Sequence, residues 1–249
     1  MYALCILAGV AVAYALTART LRVRAFEHEH LATVLLVALP CGILGARLYH
    51  LVTDASSYFA PGVPLWHTVA IWRGGLGIWG AFLTGIPALI LTHRHLARTS
   101  DDPSRFASGA QLVAAVMPGV AFAQAIGRFG NWFNQELFGG PSSLPWALHV
   151  DAAFRPAGYE TVALFHPTFL YESLWMVLGG FVLLRYSSTL SPSRLVALYF
   201  TWYTAGRFGT ELLRVDPSHY IGALRLNAWV SVLCFVLASI YLFRTRPAR

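Results

Sequence analysis

Residues 31–52, LATVLLVALPCGILGARLYHLV, form an apolar run whose single formal charge is Arg47. An α-helix rises 1.5 Å per residue, so a run of this length crosses a hydrocarbon core of about 30 Å. Six other runs share the pattern, at 2–18, 69–92, 107–126, 168–184, 195–213 and 223–243. Composition agrees with them. The chain has 249 residues, 57% apolar and 12% charged, whereas a soluble domain carries about 25% charged residues to cover its surface. An ordinary soluble domain, a disordered chain, a coiled coil and a collagen are all excluded. The sequence predicts an all-α integral membrane protein with seven transmembrane helices, a single polytopic domain over 1–249.

The formal charge of +7 could suggest a nucleic-acid partner. The placement of the basic residues argues otherwise. All 18 are arginine. Arg19, Arg22, Arg24, Arg94, Arg98, Arg105, Arg185, Arg194, Arg244, Arg246 and Arg249 fall in alternate connections and the tail, and the other connections hold only Arg155 and Arg214. That asymmetry is the positive-inside bias, and it predicts an N-out, C-in topology in which the basic surplus needs no nucleic acid. The first basic residue, Arg19, comes too late for a secretory n-region, so the first span is expected to belong to the mature protein. Cys5, Cys41 and Cys234 lie in separate spans without C-x-x-C spacing and read as small buried apolar residues.

The connections at 19–30, 93–106 and 185–194 are short and polar. The one at 127–167 is long, with Gly139-Gly140-Pro141, Pro145, Pro156 and Pro167, and its Trp132, Phe133, Phe138, Trp146, Phe154 and Phe165 predict an ordered outer cap.

Five arginines, Arg47, Arg73, Arg128, Arg207 and Arg225, sit inside spans or at their edges, with Glu172 and Glu211. Each such charge costs about 2.5–3.5 kcal/mol near the bilayer centre, so each needs a partner or water and is a functional candidate. The topology puts most of them in the outer half of the bilayer, with Tyr2 at the outer end of the first span. Arg207, Glu211 and Arg214 are spaced i,i+4 and i,i+3 and share one helix face, a pattern that a structural ion-pair ladder also produces. In Gly127-Arg128-Phe129-Gly130-Asn131-Trp132-Phe133-Asn134-Gln135-Glu136, the residues Arg128, Asn131, Asn134 and Glu136 cluster where the fourth span ends. Guanidinium presents a planar fork of donors matched to phosphate oxygens and stays charged in a dry site. The phosphate at that depth is a phospholipid headgroup. These residues therefore predict an anionic-lipid site with an external face for a second substrate.

The run from Gly127 to Gly139 closely resembles the signature of the bacterial prolipoprotein diacylglyceryl transferases, G-R-x-G-N-F-x-N-x-E-x-x-G, with Trp132 where the pattern has Phe. Arg73-Gly74-Gly75-Leu76-Gly77-Ile78-Trp79-Gly80, His166-Pro167-Thr168-Phe169-Leu170-Tyr171-Glu172 and Gly206-Arg207-Phe208-Gly209-Thr210-Glu211-Leu212-Leu213-Arg214 resemble the same family in the same order. The resemblance implies a multi-pass enzyme of the bacterial inner membrane. It implies transfer of the diacylglyceryl group of phosphatidylglycerol to the lipobox cysteine at a prolipoprotein signal peptide, with release of glycerol 1-phosphate. By motif position, Arg128 and Arg207 would hold the lipid phosphate. Asn131, Asn134, Glu136, Gly139 and Arg73 would build the substrate site, Glu211 would orient Arg207, and Tyr2 would match the family's functional tyrosine. No cofactor or metal is implied, and no H-E-x-x-H or paired Cys/His spacing is present.

One position departs from the pattern. Many members carry a histidine, in H-G-G, where this chain has Trp79-Gly80-Ala81. No base carries over there. A cysteine of pKa about 8.5 is only a few per cent thiolate at neutral pH, so activation needs a base or a positive field. His166 is the next candidate base, while His50, His67, His149 and His219 also lie at or near the outer face. The expected chemistry is an in-line displacement in which Arg128 and Arg207 stabilise the departing phosphate. A transporter of anionic lipid would also use outer arginines but should show repeat symmetry. A non-catalytic lipid-binding paralogue would keep the arginines without a base.

Overall fold

The computed structural model describes residues 1–71, 74–216, 218 and 220–244; Arg73, His219, Arg246 and Arg249 of the sequence argument lie outside the described residues. Eight α-helices occur among them: α1 (Tyr2–Val23), α2 (Leu31–Thr53), the single turn α3 (Ser56–Phe59), α4 (Ile78–Thr99), α5 (Gly109–Phe133), α6 (Thr168–Tyr186), α7 (Pro192–Leu213) and α8 (Leu226–Arg244). The seven long helices correspond in order to the seven apolar runs. Five segments are long and apolar enough to cross a membrane: α1, α2, the run Pro103–Phe133 that contains α5, α6 and α8. α7 carries Arg194, Arg207 and Glu211, and α4 ends in His93, Arg94, His95 and Arg98, which lowers the apolar character of both. Leu4, Leu7, Leu36, Leu44, Leu83 and Phe243 stand exposed on helix surfaces, as lipid-facing side chains would. Among the described residues, strands are confined to two hairpin-sized sheets, β1 (Leu148–His149) with β2 (Leu164–Phe165) and β3 (Tyr220–Ile221) with β4 (Leu224–Arg225).

Packing divides the chain into two compact units, Leu21–Val113 and Met1–Thr20 with Ala114–Arg249. In the first, α2 crosses α4 where Gly45 faces Gly80. A Cβ on Gly45 would lie 2.5 Å from the Gly80 carbonyl oxygen, a distance that real side chains do not reach. Thr84 Oγ1 donates to the Cys41 carbonyl at 2.6 Å across the same crossing. The glycine of the Arg73–Gly80 motif thus has a packing role. Helix α4 begins at Ile78, not at 69. Leu65–Thr68 is a 3-10 turn, and Gly74 and Gly75 have φ of +86° and +76°, outside the helical region.

Arg47 holds that loop. Its guanidinium donates to the carbonyl oxygens of Thr68 (2.8 Å), Gly74 (2.8 Å), Gly75 (3.0 Å) and His67, and to the Tyr58 hydroxyl (3.1 Å). The cation also lies 4.7 Å from the centre of the Tyr58 ring. Among the described residues no carboxylate pairs with it.

In the second unit, α6 and α7 are joined by a reciprocal clasp. Trp175 Nε1 donates to the Trp202 carbonyl and Trp202 Nε1 to that of Trp175, each at 2.9 Å, with the rings stacked at 4.5 Å. Both indole N–H groups, which would be costly unpaired in an apolar setting, are satisfied by the partner helix. Helix α7 opens with Pro192 at its first turn, where a missing N–H costs nothing. Helix α5 continues to Phe133, past the expected end at 126, so Arg128 and Asn131 are helical and share one face at i,i+3. Arg225, expected inside the last span, sits in β4 before α8. The segment after α5 folds around buried Phe138, Val150 and Phe165, with Leu148, Tyr159, Val162 and Val215 against them.

Candidate active site

Three helices of the second unit bring their charges together. Glu172, on the first turns of α6, accepts from Arg128 of α5 and, at 3.3 Å, from Arg207 of α7. Arg207 is also paired with Glu211 one turn further along α7. Glu211 accepts from Arg214 (3.3 Å) and Arg225 (3.2 Å), and its side chain is only 1% exposed. Arg214 grips Asp216 through Nε and Nη2, both at 2.7 Å, and Arg225 reaches the same carboxylate at 3.3 Å. Burial works to raise the Asp216 carboxyl, but the hydrogen-bonded Arg214 and the nearby Arg225 outweigh it and hold it below the ordinary carboxylate range.

In this lattice four guanidinium groups face the three carboxylates of Glu172, Glu211 and Asp216. Breaking one buried pair leaves its partner charged and dry, at a cost of about 3–5 kcal/mol. Arg128 is its most open guanidinium: its side chain is 21% exposed, against 10% or less for the other three. Arg128 binds a single carboxylate, and its Nη1 makes only a long contact with Asn131 Oδ1 at 3.5 Å. It can therefore receive an anion without giving up Glu172.

The neighbouring motif residues line up beside it. Asn131 donates through Nδ2 to Glu136 at 2.9 Å, and Asn134 to the same oxygen at 3.2 Å. Tyr2 packs its ring against Gly130, where an added Cβ would lie 2.7 Å from Cε2. Gly139 bridges to Arg214 and pairs with the His166 backbone, its N–H donating to the His166 carbonyl at 2.9 Å. A Cβ there would meet the Cβ of His166 at 2.8 Å, so only glycine fits the junction. A cleft of about 660 Å³ opens beside the turn that follows α5, lined by Phe133, Glu136, Leu137, Phe154, Pro156 and Asp216 among others.

The structure thus brings together Arg128, Asn131, Asn134, Glu136, Arg207 and Glu211, with Tyr2 and Gly139 at the edge. It does not bring in the His166 ring. Nδ1 of that ring bonds the Tyr171 hydroxyl (3.2 Å), which in turn receives the Trp146 indole N–H (3.1 Å). An indole N–H can only donate, so the Tyr171 hydroxyl accepts from Trp146, and its bond to His166 Nδ1 occupies that ring nitrogen. Arg73 lies outside the described residues. Sequence reasoning marks Glu172 as a functional candidate without giving it a role, and it passes over Asp216. The available signal for Glu172 was its motif, since it ends the stretch from His166 to Glu172.

Fold and lattice define a helical membrane protein whose apolar helices converge on a buried guanidinium–carboxylate site. The chain belongs to the prolipoprotein diacylglyceryl transferase family, whose model matches residues 1–244. A relative in Cutibacterium acnes is 48% identical, covering 97% of this chain and 79% of its own length. Others in Streptomyces coelicolor (46% identical, 94% of this chain and 72% of the relative) and Paenarthrobacter aurescens (42%, 99% and 79%) are similar along the same length. The first and third are named phosphatidylglycerol--prolipoprotein diacylglyceryl transferase, and the second phosphatidylglycerol--prolipoprotein diacylglyceryl transferase 2.

Proposed function

We propose that this chain transfers the diacylglyceryl group of phosphatidylglycerol to the lipobox cysteine of a prolipoprotein, forming a thioether and releasing glycerol 1-phosphate. The observation that carries this reading is the meeting of Arg128 and Arg207, from two different helices, on the single carboxylate of Glu172. A headgroup phosphate entering there meets a preorganised pair of planar donors in a water-poor setting. The arginines steady the phosphate as it leaves, Glu211 fixes Arg207, and Asn131, Asn134 and Gly139 shape the wall. The resemblance adds Tyr2 as a functional tyrosine, and Arg73 at the substrate and His166 as a base are further candidates from the sequence.

In this reading all seven long helices span the bacterial inner membrane as one polytopic domain, with the N-terminus and the segment after α5 on the periplasmic side. Arg207 and Glu211 of α7 then lie in the lattice, which supplies the partners their charges need. Trp79 favours one alternative, a lipid-binding paralogue that does not catalyse, because many family members have a histidine at that position. A single assay separates the readings: the purified chain is supplied with phosphatidylglycerol vesicles and a lipobox peptide, and the thioether is read by mass spectrometry. Transfer is the expected result. A chain that binds the lipid but forms no thioether would leave the paralogue.

A further inference from the structure

Glu136 differs from every other carboxylate of the site. Glu172, Glu211 and Asp216 each hold guanidinium groups, whereas Glu136 accepts only the side-chain amides of Asn131 and Asn134 and pairs with no cation among the described residues. Both amides bond the same oxygen, Oε1, which leaves Oε2 without a protein donor among those residues. The residue also lines the cleft.

Its backbone is set with unusual care. Gln135 and Leu137, on either side of it, have φ of +49° and +58°, a left-handed conformation that non-glycine residues seldom adopt. Four bonds clamp the turn. Gln135 and Asp151 exchange a reciprocal pair at 2.7 Å each, the Glu136 N–H donates to the Asn131 carbonyl at 3.1 Å, and Thr168 donates to the Leu137 carbonyl. Strained backbone on both sides of one residue, over-determined by its surroundings, is a common setting for a functional side chain.

Resting on the transferase reading above, we propose that Glu136 is the proton acceptor for the substrate thiol, presenting Oε2 to a cysteine-bearing peptide held in the cleft. Trp79, which stands where the family pattern often has histidine, has no basic nitrogen, and Nδ1 of His166 is already bonded to Tyr171. In the step, the thiol proton passes to Glu136 as sulfur attacks the glycerol carbon bearing the phosphate ester. The S–C bond forms, the C–O bond breaks, and its electron pair stays on the phosphate oxygen. Glu136 then returns the proton to the released phosphate, and no oxidant or further reactant is needed. The charges move together: Asn131 links Glu136 to Arg128, so neutralising Glu136 removes a negative charge from that chain of contacts while the departing phosphate gains one.

The test uses the full chain in phosphatidylglycerol vesicles with two lipobox peptides, one bearing cysteine and one selenocysteine. A selenol is already ionised at neutral pH and needs no base. Glu136→Gln should slow transfer to the thiol by about 100-fold or more. KM for the lipid should stay within about twofold, and the selenol peptide should recover most of the lost rate. Glu136→Asp, which keeps the carboxylate, should fall between. Equal losses with both nucleophiles would assign Glu136 a purely structural part, and an undiminished thiol rate would remove it from the reaction; either overturns the proposal. A wild-type chain that modifies neither peptide would instead sink the transferase reading itself.

Discussion

Arg47 and Arg207 are both arginines buried in apolar helices, and the protein satisfies them in opposite ways. Arg47 spends its donors on four backbone carbonyls and one tyrosine hydroxyl, all neutral, and ties the loop through residues 67–75 to α2. Arg207 lies between two carboxylates in a lattice shared with Arg128, Arg214 and Arg225. A carbonyl cage engages all three nitrogens of the fork and holds them to backbone. A carboxylate lattice sets four guanidinium groups against three carboxylates, and Arg128, which meets Glu172 through Nη2 alone, keeps donors for an arriving phosphate. Burial alone therefore does not mark a functional arginine. The chemistry of its partners does.

This contrast can be broken most sharply in the lattice. Arg207→Ala strands Glu172 and Glu211, and Arg128→Ala removes the most open guanidinium; each should reduce diacylglyceryl transfer by 100-fold or more, about the loss expected for one preorganised electrostatic donor. The protein should still insert. Near-normal transfer by either variant, with insertion verified by membrane extraction, would remove that arginine from the chemistry.

Arg47→Lys keeps the charge but not the fork. Losing several charged hydrogen bonds to the 67–75 loop should lower stability by about 3 kcal/mol, read as a drop in Tm in detergent. In the molecules that remain folded, kcat should change less than about threefold. A collapse of kcat with an unchanged Tm would erase the distinction between the two arginines.

Gly139→Ala tests the lattice at its rim. The new methyl would press on the His166 side chain and the Leu213 carbonyl, costing about 1–3 kcal/mol as an overpacked junction. Tm and transfer should both fall, and a variant with wild-type Tm would show that the junction can relax. The smallest effect is expected at Asp216. Because its folded carboxyl is held below the ordinary value, the stability it contributes is complete above an ordinary pKa of about 3.9 and is lost as pH falls through the lowered one. Asp216→Asn should thus lower Tm at neutral pH and flatten its decline in acid. An identical acid limb in the variant would assign that limb to other carboxylates.

Much of this was legible along the chain. Hydrophobic length, the arginine asymmetry and the motif run from Gly127 to Gly139 depend on residues that are neighbours in sequence, and transfer free energy acts on them segment by segment. Helix ends were read less well. The run at 69–92 is apolar apart from Arg73, but the bonds that Arg47, a residue of another helix, donates to the Gly74 and Gly75 carbonyls hold that part outside α4.

What the residues determined by themselves is that the chain forms long apolar helices, that charges occur inside them at a cost requiring partners, and that Arg128, Arg207, Glu136 and Glu211 sit in one family's motifs. Which charge answers which was decided only by the fold. Glu172 receives arginines from two other helices, 44 residues before it and 35 after it in the chain. Arg47 finds carbonyls, and among the described residues the Glu136 carboxylate is left with amides alone. Coulomb energy in a dry interior depends on distances of a few ångströms in space, and those distances exist only after α5, α6 and α7 have packed.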